Sequence, residues 1–257
     1  MSLLQQITST RPAGGPIPPV RMNIHGTDGI GKSTFGAGSL DPVFIQAEDG
    51  LSFIDVPRFP QANTWGELLQ QIKALVDEEQ SYKTVVLDTT DAAAKLGEEY
   101  VCEKNGWSSA ADPKAGYGAF YVAEENAWVH LLSGLNVLHT QKGMKVILLS
   151  HVASKAYKDP ELEPYDRWEM RCNKKVNSLI KDWVDFNLFA NYETQLIKDG
   201  QKARGVSYGN RGLFTQFAAA YDAKSRLALP SKLEFSWNAF MEAYTAALAA
   251  NTNDEAA

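Results

Sequence analysis

Four short runs rich in apolar residues, separated by stretches of helical period, constrain the fold of this chain more than any other feature. They are Val20–His25, Pro42–Ala47, Lys83–Asp88 and Met144–His151. Lys83–Asp88 and Met144–His151 are apolar on successive residues, and a strand of that pattern has both faces covered. Between the runs, Trp65, Leu68, Leu69, Ile72, Leu75 and Val76 recur at helical spacing behind Thr64, a capping residue. Asp91 is placed to cap a helix reaching about Lys104. Further helices are expected over 119–142 and 172–183, and Ser236 is placed to cap a last one through Trp237, Phe240, Met241, Tyr244 and Leu248. Strands alternating with helices build a mostly parallel central sheet flanked by helices, an α/β fold. The segments 184–197, 203–208 and 212–221 alternate like half-buried strands, so a late antiparallel extension is expected. Residues 105–118 and 152–169 have turn composition and read as loops. The expected organisation is an extended lead-in over 1–19, a single domain over 20–250 and a frayed tail over 251–257.

Composition removes several classes of function. With 257 residues, 44% hydrophobic and 22% charged, the chain is neither disordered nor fibrous. No apolar run approaches the ~18 residues of a membrane span, and the first residues lack the basic start and apolar stretch of a secretory signal. Two cysteines, Cys102 and Cys172, make neither a disulfide framework nor a four-cysteine zinc site, and the four histidines are dispersed. A cytoplasmic protein with no membrane attachment is the expectation. The net charge of −6 argues against a whole-surface nucleic-acid binder, yet residues 155–226 hold 13 Lys/Arg against 10 Asp/Glu.

Directly after the first apolar run, Gly26-Thr27-Asp28-Gly29-Ile30-Gly31-Lys32-Ser33, followed by Thr34, fits G-x-x-x-x-G-K-[ST]. Glycines let such a loop turn so that successive amide protons converge on phosphate oxygens, and the helix start adds free N–H groups. Lys32 is placed to reach the β- and γ-phosphates and Ser33 to coordinate Mg²⁺, so ATP and Mg²⁺ are the expected cofactors. No base-reading motif separates ATP from GTP. The metal needs a carboxylate at the end of a buried strand. Asp88 closes Val-Val-Leu-Asp and fits that need, acting through water, with Asp91 just beyond. Glu48, at the carboxyl end of the second apolar run, is placed to take a proton from an attacking water.

The segment Phe44–Leu51 (FIQAEDGL), one strand after the glycine loop, resembles the part of RecA-type ATPases that presents a catalytic glutamate. The resemblance implies that role for Glu48 and the Walker B role for Asp88. The strand ending in Ser150-His151 resembles the RecA strand whose polar terminus senses the γ-phosphate; that family usually has Asn-Gln there. More narrowly, the glycine loop and Tyr221–Pro230 (YDAKSRLALP) resemble phage-encoded proteins with a RecA core, some of which are single-strand annealing recombinases. This implies that Lys224 and Arg226 complete a neighbouring subunit's ATP site. It further implies a homo-oligomer, single-stranded DNA as partner, a single-strand-binding protein as a further partner, and the host cytoplasm as location. Two loops would then meet DNA. One carries Trp107, Lys114 and Tyr117. The other carries Lys155, Tyr157, Lys158, Arg167 and Trp168, then Arg171, Lys174 and Lys175. Rings stack on bases while cations track the backbone, although Asp159, Glu161, Glu163, Asp166 and Glu169 interrupt the second loop. Two other readings remain open: a nucleotide-gated assembly module with little hydrolysis, and a P-loop small-molecule kinase.

Overall fold

A computed structural model describes residues 17–254 apart from 117, 200 and 201, and along 195–208 and 251–254 it describes the backbone alone. Tyr117, 1–16 and 255–257 therefore lie outside the described residues.

The four apolar runs form β1 (Arg21–Gly26), β2 (Pro42–Gln46), β3 (Thr84–Asp88) and the first half of β4 (Lys145–Tyr157). The helices are α1 (Lys32–Ala37), α2 (Trp65–Asp77), α3 (Thr90–Asn105), α4 (Ala119–Lys142), α5 (Lys174–Trp183) and α6 (Trp237–Asp254). The rest of the sheet comes from β5 (Tyr165–Met170), β6 (Phe186–Asp199), β7 (Lys202–Phe214), β8 (Lys224–Ser225) and β9 (Lys232–Glu234). Its order is β2-β3-β4-β1-β6-β7-β9, with β5 on β4 and β8 on β6. β2, β3, β4, β1 and β6 are mutually parallel. The expected α/β class, a mostly parallel sheet with a late antiparallel extension, is the one observed.

Both faces of the sheet are covered, which is why the strands are apolar on successive residues. Val85, Leu87, Val146 and Leu148 face a core shared with α2, α3, α4 and α5. Val86, Ile147, Leu149, Met22 and Ile24 face a second core closed by α1 and α6. In that second core the Phe35 ring stacks on Phe235 with centroids 5.3 Å apart and meets the edge of Trp237. A side chain of that size contributes about 1.5–3 kcal/mol by leaving water.

Five expectations need correction. Residues 152–169 are not a loop: β4 runs on past the sheet and pairs antiparallel with β5 from Val152↔Met170 to Tyr157↔Tyr165, a two-stranded ribbon. The segment 184–197 is not simply antiparallel, because β6 first runs parallel to β1 (Met22↔Phe186 to Gly26↔Ala190) and only on its other edge antiparallel to β7. Strand β7 ends at Phe214, and up to 221 there are isolated bridges, Ala218↔Tyr221 and Trp168↔Tyr221, in place of a strand. Thr89, not Asp91, caps α3, its hydroxyl accepting from the Ala92 amide. Thr64 and Ser236 cap as expected, accepting from the amides of Glu67 and Ala239. The backbone of α6 is helical through Asp254, four residues into the expected tail.

Candidate functional site

The glycine loop joins the carboxyl end of β1 to α1 and is held by contacts that explain its glycines. A Cβ at Gly26 would lie 2.4 Å from the Ala190 carbonyl oxygen, so β6 can pair this closely only against a residue with no side chain. Gly31 has φ 105°, in the left-handed region, and a Cβ there would lie 2.6 Å from Arg211 Nη1. Arg211 donates from that nitrogen to the Ile30 carbonyl at 2.9 Å, and the Tyr192 hydroxyl donates to the Gly29 carbonyl at 3.3 Å.

The expected cluster assembles at this loop. The Lys32 side chain is only 5% exposed, and Nζ donates to the carbonyls of Gly26 and Thr27, each at 3.1 Å. Burial lowers the Lys32 pKa, opposed by the carboxylates of Asp28, Asp88, Asp91 and Glu48. The Ser33 hydroxyl donates to Asp88 Oδ2 at 2.6 Å. Asp88 is 4% exposed, and burial raises its pKa; the Ser33 hydrogen bond opposes that rise and the Glu48 charge adds to it. Glu48 stands half-buried just past β2, and the adjacent Ala47 amide donates to the Asp88 carbonyl at 2.8 Å. Because β4 lies between β1 and β3, Gly26 and Asp88 are one strand apart, and Ser150 and His151 emerge between them.

His151 is therefore central. Its amide and Nδ1 both engage the Asp91 carboxylate, at 2.9 and 3.0 Å. Burial works to raise the Asp91 pKa, but these contacts with His151 outweigh it and hold the carboxyl below its ordinary range. Nε2 of His151 lies 3.6 Å from Asp28, which also takes the Arg171 guanidinium at 2.8 and 2.9 Å. Arg171 lowers the Asp28 pKa. Asp91, His151, Asp28 and Arg171 thus form a chain of polar contacts from α3, over the loop tip, to the end of β5. Beneath it runs a buried hydroxyl–amide relay: Thr90 to Ser150 at 2.6 Å, Ser150 to Asn23 at 2.7 Å and Asn23 to Asn187 at 2.7 Å.

The remaining expected residues divide. Lys155, Lys158 and Lys174 gather around one cleft between the β4–β5 ribbon and α5. Lys175 instead pairs with Glu125 at 3.1 Å. Trp107 is half-buried against the first core, its ring 6.5 Å from Phe120, so its ring is a packing element and not a free stacking platform. Lys114 is exposed on a 3-10 turn at Pro113–Ala115. Lys224 and Arg226 do not reach the chain's own glycine loop: Lys224 pairs with Asn187, level with Asn23 and three residues before Gly26. Its Nζ donates to the Lys181 carbonyl at 2.6 Å, and Arg226 pairs with Asp185 at 3.2 Å.

Arg211, Tyr192 and the Asp28–Arg171 pair escaped the sequence reading, since each meets the loop through strand pairing or a distant turn. Asn23 and His25 did carry a signal: with Arg21 they alternate with Val20, Met22 and Ile24, so these polar residues share one face of β1.

A model of the AAA domain family matches residues 18–227. The chain belongs to that family. This AAA domain protein has an NTPase fold, and its glycine loop is a P-loop. Over 100 residues it is 27% identical to the SPbeta prophage-derived uncharacterized protein YorG of Bacillus subtilis (strain 168), a match spanning 37% of this chain and 31% of that protein. Among solved structures, the RadB recombinase superposes with a TM-score of 0.46 at 13% identity, covering 88% of this chain and 92% of that one. Among the described residues no helix is long and apolar enough to cross a membrane.

Proposed function

We propose that this AAA domain protein is a Mg²⁺-dependent ATPase of RecA type that acts on single-stranded DNA, as an oligomer, in phage recombination or repair. The observation that carries the hydrolytic part is the 2.6 Å contact of Ser33 with the buried Asp88, beside the buried Lys32. Hydroxyl and carboxylate oxygens are the donors Mg²⁺ prefers, one or two from protein and the rest from phosphate and water, so Ser33 directly and Asp88 through water fit that ion. When bound, Mg²⁺ neutralises charge on the phosphate oxygens. Lys32 exchanges its two carbonyl partners for phosphate oxygens of opposite charge. The loop amides from Gly26 to Thr34 orient the triphosphate. Glu48 accepts the proton of the attacking water.

The DNA part is supported by the excess of cations in the cleft beside the ribbon. The turn of the ribbon carries Lys158 with Asp159, Glu161 and Glu163, while Lys155, Arg167 and Lys174 line the cleft beside it. Five cations, Lys155, Lys158, Arg167, Lys174 and Lys181, line that cleft against two acids, Glu169 and Asp222. The His151–Asp28–Arg171 chain joins this ribbon to the P-loop, a physical route for coupling. Lys224 and Arg226, away from the chain's own loop, are assigned to a neighbour's ATP site. The prophage-derived relative supports a phage origin, and with it the host cytoplasm.

The test is the ATPase rate with and without single-stranded DNA. Stimulation is expected, and a rate indifferent to DNA overturns the DNA part. ATP binding with no turnover under either condition would make this an assembly module, and phosphate transfer to a metabolite would make it a kinase.

A further inference from the structure

On the α5 side of the sheet, the polar groups at the strand ends are buried but incompletely partnered. His25 on β1 is 1% exposed, and neither ring nitrogen has a hydrogen-bond partner. The Asp222 main chain approaches the ring without reaching bonding geometry, and burial lowers the His25 pKa to about 4, so the ring is neutral near pH 7. Asn187, 0% exposed, uses its carbonyl oxygen on Asn23 but leaves Nδ2 without a partner. Arg167, 6% exposed, is sandwiched between the rings of Tyr157 and Phe217 with Nε unsatisfied, and Asn177 leaves Oδ1 unsatisfied. All four residues line one cleft of about 540 Å³, within the size range of small-molecule sites. Native folds rarely leave such groups unpaired, and several together in one concavity point to a ligand.

The chemistry of the lining narrows the ligand. Lys155, Lys158, Arg167, Lys174 and Lys181 face it against only Glu169 and Asp222. Asp222 is already engaged by Lys181 at 2.7 Å and lies 3.6 Å from Arg167, while Lys158 and Lys174 have no ion pair among the described residues. The rim thus favours an anion. The floor does not resemble a simple anion site: Nδ2 of Asn187 and Nε of Arg167 donate, Oδ1 of Asn177 accepts, and neutral His25 offers one of each. A bare phosphate uses only donors. The edge of a nucleobase alternates donors and acceptors, and the base is joined to the phosphate that the rim would hold.

We propose that this cleft binds one nucleotide unit, its base edge on the His25–Asn177–Asn187 floor and its phosphate at Lys158 and Lys174. One residue of a single strand, with its base turned inward, and a free mononucleotide share this chemistry. The first source rests on the DNA reading above; the second is independent of it. In either case Arg171, next after β5, carries the cleft wall directly to Asp28 of the P-loop.

The experiment uses the full chain, a fluorescent oligothymidylate, a strand of equal length with abasic sugars, dTMP and inorganic phosphate. Anisotropy and competition are read for the wild type and for Ser178→Trp, which fills the cleft from an exposed position on α5, with Lys158→Ala/Lys174→Ala as a second variant. Thermal melting checks that both fold. The expected result is binding weakened about tenfold by loss of the bases, with the difference abolished in Ser178→Trp. Binding of dTMP to wild type but not to Ser178→Trp, without base dependence in the strand, assigns the cleft to a free mononucleotide and also sustains the proposal. Equal affinity for normal and abasic strands with no dTMP binding overturns it, as does inorganic phosphate competing as well as dTMP. In that case, DNA-stimulated ATPase that persists leaves the proposed function standing. Base-dependent binding without stimulation does the reverse.

Discussion

The P-loop side and the cleft side of the same strand ends handle buried polarity in opposite ways. At the P-loop, Lys32, Ser33 and Asp88 satisfy one another and the nearby backbone, and Thr27 Oγ1 is left unpaired. Across the sheet, His25, Asn187 and Arg167 are equally buried but leave polar atoms unpaired. A group that already has partners must exchange them to bind a ligand, whereas an unpaired group gains its bond outright. The first arrangement favours selectivity for a strongly charged group such as a triphosphate. The second favours recognition of a neutral edge.

Three measurements would break or sharpen this contrast. The largest effect is expected from Glu48→Gln, which keeps the shape but removes the proton acceptor: kcat should fall roughly 100- to 10,000-fold, the usual range for a general base, with ATP affinity kept. Turnover near the wild-type rate would move the base elsewhere. Lys32→Ala should weaken ATP binding on the order of 1,000-fold, about 4 kcal/mol for loss of one partner of a buried charge contact. Titration calorimetry showing unchanged affinity would remove the phosphate assignment.

The smallest of the three lies on the cleft side and is read in stability. The His25 pKa is about 4 in the folded protein against 6.5 for the free side chain. Between those values the unfolded chain takes up a proton that the folded one does not, so stability falls as pH drops from 6.5 towards 4. The full effect is about 3 kcal/mol. Asp88 and Glu124, whose pKa burial raises, pull the other way over the acidic part of this range. Urea unfolding of wild type and His25→Gln at several pH values isolates the His25 contribution. Parallel profiles for the two proteins would mean that the ring is not buried neutral.

The half of the candidate site around the glycine loop was legible because it is written locally. Lys32 and Ser33 belong to one contiguous loop, and Asp88 ends a strand whose uninterrupted apolar run fixes its place in the sheet. What escaped is non-local. Asp91 looked like a helix cap because Asp commonly caps, yet Thr89 takes the Ala92 amide and leaves Asp91 for His151, 60 residues away. The ribbon was hidden because polar, proline-punctuated residues between β4 and β5 outweighed the short alternation on either side. β6 was taken as antiparallel because one strand cannot announce that its two edges face partners of opposite direction. Arg211 sits against Gly31 only through that pairing.

Strand β4 holds one further consequence. Its first residues are clamped between β1 and β3, while its last six, Val152–Tyr157, are paired with β5. An extended chain hydrogen-bonded throughout behaves as a stiff bar, and this one passes its fulcrum at His151, where the clamped part ends. A small tilt of the outer arm would then act as leverage on His151, beside Asp28 of the glycine loop.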